Sequence, residues 1–123
     1  MTTCFISYNI KESVYIKNKL LYRFVTPKKI FMHLNRDKTY EIICYIMSSC
    51  LQLNAYGYNK IENKFWGKKI KHKVCIFQFN LEIIEVDNTS SNIIITPIIG
   101  TIAEFGKFID TFCDCIYIYN KAC

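Results

Sequence analysis

At 123 residues and 14.5 kDa the chain has the size of one compact domain. It is 51% apolar and 15% aromatic with only four Gly and two Pro, which excludes intrinsic disorder and collagen-like or linker-like chains. The net charge of +6 is unevenly spread: residues 1–81 hold fourteen basic and four acidic side chains, residues 82–123 two and six. Such a dipolar chain favours an anionic partner through one part and a basic partner through another.

Residues 1–21 alternate weakly (Phe5, Tyr8, Ile10, Val14, Ile16) and read as an N-terminal arm. The pattern tightens from Tyr22, so the domain is assigned to residues 22–119, with a short tail at 120–123. A helix is expected over about 37–53. Asn35 or Asp37 can cap it, and Tyr40, Ile43, Met47, Cys50 and Leu51 form its apolar stripe. Asn54, with Gly57 close behind, is the expected stop.

Tyr56–Ile61 and Lys64–Ile70 read as short strands, with Gly67 at a bend. From Cys75 to Ile83 every odd position is apolar, and Gln78, Asn80 and Glu82 alternate with them, the period of a half-buried antiparallel strand. A turn cluster at residues 87–92 leads into Ile93–Ile95, where Pro97 implies an edge or a bulge. Thr101 and Glu104 have capping-box spacing at the head of a last helix, expected at about 101–118. Its stripe is Phe105, Phe108, Ile109, Phe112 and Ile116, and Gly106 within it suggests a closely approaching neighbour. The fold class is α+β: an antiparallel sheet of about four to five strands with two amphipathic helices on one face.

Seven cysteines, an odd number, follow an N-terminus without signal-peptide character, so they are expected to be reduced and to pack as small hydrophobes. The longest apolar stretch, from Ile93 to Phe105, is too short and too interrupted for a transmembrane span. No phosphate loop, dinucleotide fingerprint, nucleophile elbow or metal-ligand spacing occurs. His33 and His72 stand far apart, and Glu82 and Glu85 fall on opposite strand faces. No catalytic residue, cofactor or metal site is expected.

The informative cluster is basic. Lys60, Lys64, Lys68, Lys69, Lys71 and Lys73 lie against a lone Glu62, interleaved with Tyr58, Phe65 and Trp66, and Lys69, Lys71 and Lys73 are expected to share one strand face. This pattern suits an acidic phospholipid surface, and secondarily single-stranded nucleic acid. Fourteen lysines to two arginines argue against bidentate base reading.

Four segments in order resemble the kinase-associated domain 1 of CAMK-group serine/threonine kinases, most of all its checkpoint-kinase branch. They are Tyr22-Arg23-Phe24-Val25-Thr26, Leu34-Asn35-Arg36-Asp37-Lys38-Thr39-Tyr40, Phe77-Gln78-Phe79-Asn80-Leu81 and Gly100-Thr101-Ile102-Ala103-Glu104-Phe105-Gly106-Lys107-Phe108. Thr101 stands where the family usually has Asp, and residues 1–21 lie outside the likeness. The resemblance implies a non-catalytic regulatory domain that binds and restrains a kinase domain, in cis or in trans. Arg23, Phe24, Glu104 and Lys107 would form the interface. It also implies acidic phospholipid as an alternative ligand, and a nuclear or cytoplasmic location with peripheral membrane attachment as the variant.

Overall fold

The computed structural model describes residues 27–122, with side chains over 27–119, and before them the backbone of three short strands. These are β1 (Phe5–Ser7), β2 (Val14–Ile16) and β3 (Lys19–Leu21). Then follow β4 (Lys28–Met32), α1 (Arg36–Ser49), β5 (Ala55–Asn59), β6 (Lys64–Lys71), β7 (Val74–Asp87), β8 (Ser90–Ile99) and α2 (Ile102–Ala122). β2 and β3 form a separate antiparallel pair. The other six strands form one antiparallel sheet in the order β1-β4-β8-β7-β6-β5, so the expected four to five strands gain a three-residue edge strand from the arm.

One sheet face is covered by both helices, as alternation in β7 requires. Phe77, Phe79, Leu81 and Ile83 are buried, and Phe79 is completely so. Ile30 and Met32 from β4, Phe65 from β6, and Ile93 and Ile95 from β8 complete the sheet side of the core. The helices add Tyr40, Ile43, Ile46 and Met47, and Phe105, Phe108, Ile109, Phe112 and Ile116. Phe108 is the hub: its ring centroid lies 4.5 Å from that of Phe79 and 5.1 Å from that of Phe77. Burying rings of this size dominates the hydrophobic gain on folding.

Helix α1 starts as expected, with Asn35 Oδ1 accepting from the Lys38 N–H at 2.8 Å. It ends sooner than expected, at Ser49, with Cys50 as its C-cap and Gln52 at φ 52°. Asn54 is therefore not a helix stop. Its N–H donates to the Lys68 carbonyl at 2.9 Å and its Oδ1 accepts from the Ile70 N–H at 2.6 Å, which stitches the start of β5 onto β6.

Gly67 is not at a bend. It sits buried within β6, where a Cβ would come within 2.6 Å of the Phe79 ring and 2.8 Å of Leu53. Gly106 reverses its expectation: nothing lies within 4 Å of a Cβ placed there. Pro97 lies in β8 opposite Phe79, where the register slips between Gln78 and Phe79, so the expected bulge is present, and the pairing of β8 with β4 stops at Ile95. Ser90 to Asn92 belong to β8, which narrows the expected turn cluster to Asn88 and Thr89. Helix α2 runs on to Ala122, through most of the expected tail.

Candidate functional site

The capping box at the head of α2 forms as expected. Thr101 Oγ1 accepts from the Glu104 N–H at 3.1 Å, and Glu104 Oε1 accepts from the Thr101 N–H at 3.2 Å and from its hydroxyl at 3.1 Å. Gly100, at φ 136°, turns the chain off β8 just before it, a conformation that a side chain would strain. Glu104 thus has a structural task. Lys107, also placed in the expected interface, stays exposed beyond it. Arg23 and Phe24 lie outside the described residues, and the strand that leads into α1 is Lys28–Met32.

The basic cluster divides. Lys60 lies 3.2 Å from Asp37 and 4.1 Å above the Tyr40 ring, so it fastens the β5–β6 turn to α1. Burial pushes the Tyr40 phenol up to about 12, which keeps that ring neutral under the ammonium group. Lys64 and Lys68 flank Trp66 on the sheet face opposite the helices, with Lys68 Nζ 5.6 Å from the indole centroid. Trp66 lies across Gly57, its cross-strand partner, whose absent Cβ would fall 2.6 Å from the indole nitrogen. A cleft of about 470 Å3 there is lined by Lys64, Trp66, Asn80, Glu82, Ile94 and Thr96 among others.

Of the three lysines expected on one strand face, Lys69 and Lys71 keep that alternation in β6, and Lys73 lies beyond the strand. A β-bulge opposite Lys69 and Ile70 puts its extra residue, Ile76, on β7, so β6 alternates without interruption and Lys69, paired with Phe77, and Lys71, paired with Val74, stay on one side of their strand. Lys73 belongs to the hairpin turn itself. It and His72 both have positive φ, 64° and 53°, the conformation of a two-residue turn that normally selects Asn and Gly. The resulting tip is cationic, and Ile70 and Val74 beside it are 41% and 60% exposed.

One juxtaposition has no signal in the sequence. Lys69 of β6 and Lys107 of α2 line a single cleft of about 280 Å3, floored by Leu51, Phe77 and Phe108 and rimmed by Glu104 and Thr111. Two cations over an apolar floor suit a carboxylate or phosphate carried on an apolar or aromatic group. Among the described residues, no group of three or more His, Cys, Asp or Glu is arranged to hold a metal ion. Comparison with family models, curated proteins and solved structures finds no match.

Proposed function

We propose that the chain is a non-catalytic regulatory domain that binds and restrains the catalytic domain of a serine/threonine kinase, in cis or in trans. One observation carries this reading: three of the motifs behind the resemblance coincide, in order, with three joints of the fold. Leu34–Tyr40 contains the cap and first turn of α1. Phe77–Leu81 sends three buried side chains of β7, Phe77, Phe79 and Leu81, into the core. Gly100–Phe108 is the left-handed turn, capping box and first core residues of α2. The Lys69–Lys107 cleft supplies a surface for an acidic side chain of the partner.

The test is titration of the purified chain into checkpoint-type kinase catalytic domains from the source organism, reading the rate of peptide phosphorylation. A saturable fall in rate supports the proposal, and Lys69→Glu combined with Lys107→Glu should weaken it roughly tenfold, the equivalent of one lost charge-assisted contact. A folded chain that neither binds nor slows these domains would leave only a likeness of motif.

A second reading has its own observation, the cationic β6–β7 tip with exposed Ile70 and Val74. It fits shallow insertion into an anionic bilayer surface, where apolar side chains enter the headgroup boundary and lysines stay at the phosphates. Among the described residues no helix is long and apolar enough to cross a membrane. Binding to phosphatidylserine vesicles that salt abolishes supports this reading, and equal binding to neutral vesicles refutes it.

A further inference from the structure

We infer that Cys50 and Cys115 form an oxidisable pair, a disulfide site that would staple α1 to α2. The helix register brings the two residues together. Tyr45 of α1 meets Tyr119 of α2 with ring centroids 4.5 Å apart, whereas Leu51, just past the end of α1, shares a cleft with Phe108 and Thr111. The two helices therefore run antiparallel, and position 50 falls against the stretch between 111 and 119. On α2 the stripe that faces α1 is Phe108, Thr111, Cys115 and Tyr119, at steps of three and four. Cys115 is the member of that stripe within the bracketed stretch.

Cys50 is the C-cap of α1, at φ −113°, so it sits where the helix has already loosened and a small backbone adjustment is cheap. Both cysteines are half-buried at the margin of the core, and their thiols lie close enough to interact. Burial, the contact with Cys50 and the Asp114 charge together push the Cys115 thiol up to about 11. At neutral pH the Cys115 thiol thus rests protonated. Cys44 and Cys75, the other half-buried thiols outside α2, have different neighbours: Cys44 the Tyr40 hydroxyl, Cys75 the Phe77 carbonyl at 3.5 Å.

The oxidant is a peroxide. One thiolate attacks hydrogen peroxide, breaking its O–O bond and releasing hydroxide, to give a sulfenic acid. The second sulfur then displaces hydroxide from it, and the S–S bond forms. The two thiols lose two electrons and two protons, and the peroxide becomes two molecules of water. The cross-link closes a loop of about half the chain, which restrains the unfolded state strongly.

The test uses the full chain treated with hydrogen peroxide, read by intact mass, peptide mapping without reductant and thermal melting. The expected product has lost two hydrogens, yields a Cys50–Cys115 linked peptide, and melts higher by about 5–15 °C, an increment that reductant removes. Cys50→Ser and Cys115→Ser should each abolish the linked peptide and the increment. A chain with Cys4, Cys44, Cys75, Cys113 and Cys123 all changed to Ser should retain both. If that chain is unfolded, the peptide map of the unaltered protein decides alone. Sulfinic acid at both positions with no disulfide, or a disulfide mapped to any other pair, would overturn the inference.

Discussion

Thr39 Oγ1 and Ser91 Oγ lie 2.7 Å apart in the core, joining the first turn of α1 to the start of β8. Both hydroxyls also reach the Leu34 carbonyl, Ser91 at 2.9 Å and Thr39 at 3.4 Å, so one buried polar knot holds the strand–helix corner. Ser91→Ala leaves the Thr39 hydroxyl and the Leu34 carbonyl short of a partner and should cost about 1–3 kcal/mol in denaturant unfolding. Thr39→Val combined with Ser91→Ala should cost less than the sum of the single changes, because the second removes a group the first has already stranded.

Phe79 and Gly67 form a second coupled pair. Phe79→Ala should destabilise by about 3–5 kcal/mol, the range for emptying a fully buried ring site. Gly67→Ala should cost about 1–3 kcal/mol through overpacking against the Phe79 ring. Joining Gly67→Ala to Phe79→Leu should recover part of that loss, as read by the midpoint of urea unfolding. Additive costs would mean that the ring and the missing Cβ do not compete for the same space.

The β6–β7 turn holds two non-glycine residues at positive φ, so Lys73→Gly should stabilise the fold by about 1 kcal/mol. If the tip serves a membrane, the same variant should bind anionic vesicles less well. A gain in stability with a loss of binding is the expected signature, since strained residues persist where function holds them.

Asp87 gives a pH prediction. The Thr89 N–H and the hydroxyls of Ser90 and Thr89 donate to its carboxylate and hold it below the usual value of 3.8. A depressed pKa means the native state binds fewer protons than the unfolded one, so this contribution is present above about pH 4 and fades as pH falls through the native value. The β7–β8 turn should accordingly loosen in acid, seen as a coincident titration of the Asp87 carboxyl and the Thr89 amide by NMR. Asp87→Asn should flatten the Thr89 titration.

The core was legible in the sequence because it depends on period alone. The stripe from Phe105 to Ile116 and the alternation from Cys75 to Ile83 each leave one packing solution, and the structure adopts both. The Thr101–Glu104 box was legible because its chemistry is local. Errors arose where a distant neighbour decides the outcome. Gly67 reads as a bend until Phe79 is seen filling its Cβ position. Asn54 reads as a helix stop until Lys68 and Ile70 take its hydrogen bonds. The Lys69–Lys107 cleft joins residues from separate elements, and neither carries a mark of the other.

The bulge that takes up Ile76 lies on β7, so the hairpin's charge map rests on the unbroken alternation of β6. Deleting Ile70 would break that alternation and carry Lys71 to the side opposite Lys69, splitting two cations that now share a side. Gene-level gain or loss of one codon there would thus re-address the domain, exchanging one electrostatic partner surface for another while the core residues keep their places.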